Sequence, residues 1–301
     1  VTALFAVEIR RFLARRLMRV LALLIVAGIL VAGTIVFFRS SKTQTTPEVR
    51  AVVLEDGSVS CLSEDFGGGG SIPRGQTPEE FCESLTPTFQ NDRRFHLTSL
   101  REAWLGLGAN LIIVAWLLGA SFAGAEWHTG AMTTLLTWEP RRTRVFFLKL
   151  AACVVMVYLG AIFFELLLGG ALLPAAIFRG STAGADAEWL RDSAGVIARV
   201  GLACSVGGAI GFSLASLGRN TAASLGIGFG YLLVVENLIR GLRPQWAGWL
   251  LGDNVAAFVE GSPESVLTAG RSLAETGLTI GSYAAVAAIL AWMFFRQRDV
   301  T

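Results

Sequence analysis

The residues best arranged for chemistry lie in one stretch, GAEWHTGAMTTLLTWEPRRTRVFFLKL, running from Gly124 to Leu150. On a period of 3.6 residues, Glu126, Gly130, Thr133 and Thr137 line up as a polar face, and Trp127, Ala131, Leu135 and Trp138 as an apolar one. A short helix over 126–140 is therefore expected, stopped by Pro140 and followed by the basic Arg141, Arg142 and Arg144. Such a helix is roughly 21 Å long. Lying flat beneath a bilayer with its tryptophans toward lipid, it presents its polar face to a partner or acts as an interfacial anchor. Its chemistry is recognition, with no bond made or broken.

Glu165 and Glu236 stand within apolar runs, where an acid faces a bundle interior, a cavity or a partner. Arg240 follows Glu236 by one helical turn, so a local ion pair is within reach. Asn110 and Asn237 are expected to hydrogen-bond between helices. Catalytic patterns are missing. No stretch matches G-x-x-x-x-G-K-[ST], and the tetraglycine Gly67 to Gly70 has no lysine after it, so this chain alone does not hydrolyse ATP. His96 and His128 do not form the H-E-x-x-H zinc signature, and no G-x-S-x-G elbow pairs with a histidine and an acid. No metal and no cofactor is expected in the chain.

The elements that position these residues follow from composition. Of 301 residues, 53% are hydrophobic and only 16% charged, which makes the bilayer the expected solvent. Mean hydropathy is +0.58. A formal charge of +2 gives no reason to expect a nucleic-acid partner. Apolar runs long enough to cross about 30 Å of hydrocarbon are Met18 to Phe38, Trp104 to Ala125, Val145 to Leu168, Ala194 to Leu217, Ala222 to Ile239 and Gly277 to Phe295. The fold class expected is thus an all-α integral membrane protein with about six transmembrane helices. The third run continues apolar past Leu168 to Phe178, which overruns the bilayer unless the helix tilts or breaks near Pro174.

The first run follows Arg10, Arg11, Arg15 and Arg16 and reads as a retained signal anchor, being longer than a signal-peptide core. Residues 1–16 place Phe5, Ile9, Phe12 and Leu13 on one face and Glu8, Arg11 and Arg15 on the other, an amphipathic helix suited to the headgroup layer. Arg10, Arg11, Arg15, Arg16, Arg19, Arg141, Arg142, Arg144, Lys149, Arg219, Arg296 and Arg298 fall on one side of the membrane when both termini are cytoplasmic. The hydrophilic segment 39–103 then faces outward. Its Cys61 and Cys82 are expected to be bridged, at about 3 kcal/mol in the chain-entropy account. Cys153 and Cys204 fall inside helices as small apolar residues. Gly207, Gly208 and Gly211, with Gly226, Gly228 and Gly230, are expected to let helices approach closely.

Taken together, the loop resembles that of the ABC-2 type permeases, the transmembrane subunits of ABC exporters. Their second span is typically followed by an acid, a glycine, a leucine pair, a proline and an arginine, with a lysine entering the third. Glu126, Gly130, Leu135, Leu136, Pro140, Arg142 and Lys149 stand in those roles, and Ala131 replaces the threonine many members carry. Six spans, an amphipathic N-terminal helix and a re-entrant or surface helix over Trp246 to Phe258 extend the likeness, whereas 39–103 has no matching counterpart. The resemblance implies that the 126–140 helix is a coupling helix. Glu126, Gly130, Thr133, Leu136, Pro140, Arg141 and Arg142 would meet a cytosolic ATPase that binds ATP and Mg. It further implies a second permease, identical or different, an inner-membrane location, and export of a lipophilic or amphipathic substrate. A proton-coupled secondary transporter and a membrane-tethered scaffold or signalling protein acting through 39–103 are the rival readings.

Overall fold

In hydrocarbon every backbone N–H and C=O must pair within its own segment or with a neighbouring one, so apolar runs of this length have helix as their outlet. The computed structural model describes residues 2–41, 50–53, 59–63, 66–70, 77, 94–261 and 271–297. Helix α1 (Thr2–Ala14) is followed after one residue by α2 (Arg16–Arg39). Then come α3 (Leu100–His128), α4 (Ala131–Trp138), α5 (Arg142–Arg179) and α6 (Ala187–Gly218). The fifth span runs from Thr221 to Leu242 as α7 (Thr221–Gly230), a π-helical turn (Tyr231–Val235) and α8 (Glu236–Leu242). A 3₁₀ turn (Pro244–Trp249), α9 (Leu251–Glu260) and α10 (Leu273–Gln297) complete the order.

Six of these helices are long and apolar enough to cross a membrane, and the chain is an all-α, multi-pass membrane protein. Leu23, Phe163, Leu233 and Leu278 each leave more than half of their surface exposed, a pattern that suits lipid and would be costly in water. The chain divides into two compact units, one of Val1–Ala32, Ser99–Ala171 and Ala185–Thr301, the other of Gly33–Thr98 and Leu172–Gly184.

In the first unit α6 is the central helix: 78% of its apolar window is buried, against 39% or less for the other spans. Glycine makes its contact with α3 possible. A side chain on Gly119 would run into the Gly208 carbonyl, and one on Gly211 into the Trp116 carbonyl. Gly228 likewise leaves room for the Trp116 indole, whose Nε1 donates to Ser224 at 3.4 Å. Gly226 and Gly230, also expected at helix contacts, have nothing within 4 Å of a built Cβ and face outward. The segment expected as a surface or re-entrant helix is α9, which packs on α6 and α10 through Leu251, Ile210 and Ile280.

The third span does not break at Pro174. Helix α5 continues through it to Arg179, 38 residues and about 57 Å at the usual rise. The carbonyl four residues before the proline belongs to Gly170, which brings no side chain to the crowded turn.

In the second unit Arg179 closes the end of α2. Its guanidinium lies 4.8 Å from the Phe37 ring centroid and donates to the carbonyls of Phe37, Phe38 and Ser40 at 3.3, 3.5 and 3.4 Å. This satisfies orphan carbonyls at a helix C-terminus with a positive charge. The unit also holds an antiparallel sheet of β1 (Arg50–Val53), β2 (Val59–Ser63) and β3 (Phe66–Gly70), with Cys61 opposite Ala51 and Gly68. A two-residue pairing of β4 (Phe95–His96) with β5 (Gly180–Ser181) is parallel. The tetraglycine of the hydrophilic segment is part of an edge strand, which composition does not announce because glycine is a poor strand former. The expected Cys61–Cys82 bridge involves Cys82, which lies outside the described residues.

Candidate functional site

The expected helix over 126–140 is two pieces. Glu126 and Trp127 belong to the last turn of α3, which ends with Thr129 N–H bonding to the Ala125 carbonyl at 3.0 Å. Gly130 then takes a left-handed conformation, φ 69°, and α4 starts at Ala131. Glycine occupies that conformation without the Cβ penalty that ends a continuous helix here for other residues. The polar and apolar faces drawn across 126–138 therefore do not exist as single faces. Met132 is the buried anchor of α4, Leu135 and Leu136 are half-buried, and Thr134, Thr137 and Trp138 are exposed, Trp138 by 85%. Of Thr133, the backbone in α4 is described. Pro140 and Arg141 are exposed beyond it, and Arg142 opens α5. Arg144 reaches back to Glu139 at 3.5 Å, bracing the turn.

Glu126 does not face outward to a partner. It is 6% exposed, and its Oε2 accepts Lys149 Nζ at 2.7 Å while its Oε1 accepts Arg15 at 3.2 Å. Lys149, 1% exposed in the first turns of α5, gives a second 2.7 Å bond to Glu8 Oε2 of α1. Arg11 holds the other Glu8 oxygen at 3.1 Å. Arg15, in the elbow between α1 and α2, also donates to the carbonyls of Ser121 and Phe122 at 2.8 and 3.0 Å. Burial draws the Arg15 guanidinium below its ordinary value, opposed by the charges of Glu126 and Glu8. Two acids and three bases thus join α1, the α1–α2 elbow, the end of α3 and the start of α5. Buried charges of this kind survive only when paired and hydrogen-bonded, and here each carboxylate has two partners.

Aromatic rings extend the junction. Phe12 of α1 meets Phe122 edge-on at 5.2 Å, Phe122 lies 6.2 Å from Phe212 of α6, and Phe146 of α5 touches both Phe212 at 5.6 Å and Phe295 of α10 at 5.7 Å. Phe295 packs on Trp127 at 5.9 Å, and the Arg219 guanidinium lies 4.7 Å from a ring centroid of that tryptophan. Trp127 is thus a bundle residue, whereas Trp138 alone of the two tryptophans stands outside. The amphipathic assignment of α1 needs the same correction. The pattern expects Glu8 on the polar side with Arg11 and Arg15, opposite Phe12, in the headgroup layer, yet Glu8 and Phe12 are 3% and 1% exposed and turn together into the bundle.

The intramembrane polar residues separate. Glu165 is fully buried among α3, α5 and α6. Glu236, 2% exposed, accepts from the Gly252 N–H at 2.9 Å; Arg240 is 3.9 Å from it and prefers Asp253 at 2.7 Å. Asn110 and Asn237 do not bridge helices. Asn110 donates to Gly106 in its own helix at 2.8 Å. Asn237 donates to the Leu232 and Leu233 carbonyls of the π-helical turn at 3.3 and 3.0 Å.

Lys149 was visible in sequence only as a lysine entering a span, and the role of Glu8 was missed. Their signal was the spacing of Glu8, Phe12 and Arg15, which share one helical stripe at i, i+4 and i+7. No family model, characterised protein or solved structure matches the chain.

Proposed function

We propose that this chain is the permease subunit of an ATP-driven exporter, and that α4 receives the stroke of a separate ATPase. The observation that carries the reading is the buried Glu8–Lys149–Glu126–Arg15 network, whose Glu126 and Lys149 stand on the two helices that α4 joins. A push on α4 acts on the two helices it joins, α3 and α5, and the ion network and phenylalanine rings tie those to α1, α6 and α10. Such a junction has the stiffness that a transmitted stroke requires, and the bundle would respond by moving between two packings. On this reading the contact surface is Thr134, Thr137 and Trp138 with the exposed Pro140 and Arg141, and Glu126 acts from behind it. The chain lies in the inner membrane with both termini cytoplasmic, works with a second permease copy or relative, and carries a lipophilic or amphipathic substrate. ATP and Mg belong to the partner.

The test is purification of the chain from its native membrane, alone and with the soluble proteins that accompany it, which are expected to include a phosphate-loop ATPase. The chain alone is expected to show no ATP turnover, and Thr137→Trp is expected to abolish co-purification of the ATPase while Glu188→Trp, on an exposed position of α6, leaves it intact. Retention of the partner by a folded Thr137→Trp protein would overturn the assignment of α4.

A further inference from the structure

We propose that Glu165 is a proton-binding site inside the bundle, and that the bound proton keeps α3, α5 and α6 packed together. The side chain is 0% exposed, and neither carboxyl oxygen has a hydrogen-bond partner among the described residues. Its surroundings are shaped for a carboxyl group and offer it no charge. A methyl group added at Gly108 would come within 3.3 Å of Oε1 and press on both Val200 methyls, so glycine makes the space. The nearby indole of Trp104 is engaged with the backbone carbonyl of Glu165, at 2.9 Å, and does not serve the side chain.

Arg199, Lys149, Glu126 and Arg101 on the surrounding helices are each engaged elsewhere. On α6, Arg199 donates to the Val259 carbonyl of α9, and the titratable neighbour of Glu165 there is the Cys204 thiol. On α5 itself Lys149 is about four turns away in its own ion network. On α3 Glu126 belongs to that same network, and Arg101 donates to the Glu260 carbonyl. An ionised carboxylate here would have neither counter-charge nor donor, an arrangement that buried acids avoid by keeping their proton. Glu165 is accordingly a neutral acid in this packing.

Losing the proton breaks the O–H bond, leaves both electrons on the carboxylate and hands H⁺ to water. That step needs water at the site, so it goes with separation of the three helices. A small apolar cavity of about 30 Å³, lined by Met18, Ala115, Phe164 and Cys204 among others, shares the neighbour Cys204 with the acid. Cys204, 1% exposed, is therefore a built-in reporter. Protonation of Glu165 is a property of the chain alone and needs no ATPase partner.

The experiment places the full chain in phosphatidylcholine nanodiscs and measures N-ethylmaleimide addition to Cys204 by peptide mass spectrometry from neutral pH upward, for wild type and Glu165→Gln. Thiol ionisation steepens both curves and is itself sensitive to the Glu165 charge, so amide hydrogen exchange over residues 196–208 of α6 is measured alongside. Ionisation of Glu165 adds up to about tenfold per pH unit in the wild type alone. Parallel curves for the two proteins would overturn the proposal. Should Glu165→Gln fail to assemble, infrared spectra of wild type with ¹³C-labelled glutamate decide: a carbonyl band of a neutral, non-hydrogen-bonded acid is expected at neutral pH, and its absence overturns the proposal.

Discussion

Lys149 sits between two carboxylates at 2.7 Å each and is almost wholly buried, so its removal strands Glu8 and Glu126 near each other without it. Breaking a buried pair from one side typically costs about 3–5 kcal/mol. Lys149→Met is therefore expected to release α1 and lower the thermal midpoint, read as increased hydrogen exchange over residues 5–14. Glu8→Gln in the Lys149→Met background should recover part of the loss, because it removes the charge the lysine had balanced. If the double variant is less stable than Lys149→Met, the ion network is not what docks α1. The sequence disclosed that Glu126 and Lys149 mattered but put Glu126 on the wrong side. Amphipathic reasoning sends charges outward, and only tertiary packing reveals that an acid on α1 and a lysine on α5 can neutralise one another inside.

At the scale of elements, six spans were legible because twenty apolar residues leave the backbone no alternative in lipid. What periodicity does not encode is where a helix is interrupted and where it runs on. Gly130 interrupts the run by one left-handed residue, Pro174 fails to interrupt one, and the π-helical turn at Tyr231–Val235 adds register within an apolar segment that reads as plain helix. The positive φ at Gly130 means that any replacement there strains the backbone by about 1–2 kcal/mol, whichever partner is present. The glycines differ in the same way. Gly119→Ile is expected to push α3 from α6 and reduce folded yield severalfold, whereas Gly226→Ile, with open space around it, should be close to neutral. Equal effects in a detergent-stability assay would contradict the α3–α6 seam.

For the whole molecule, the fold class followed from composition, whereas the small sheet in the second unit did not, since its Gly67–Gly70 strand looks like a flexible link. The proposed coupling surface was legible as a place but not as a face, for the chain supplies spacing and the fold decides what turns inward. On the proposed function α4 meets an ATPase, a contact that photocrosslinking in native membranes can capture. A photoreactive amino acid at Trp138, 85% exposed, and in a separate variant at Glu188, is irradiated in cells and the adducts identified by mass spectrometry. The account predicts that the Trp138 variant yields an adduct with a soluble protein bearing a phosphate loop, and that the Glu188 variant does not. A Trp138 variant that crosslinks to lipid alone in a folded protein, or an ATPase adduct at Glu188, would contradict it.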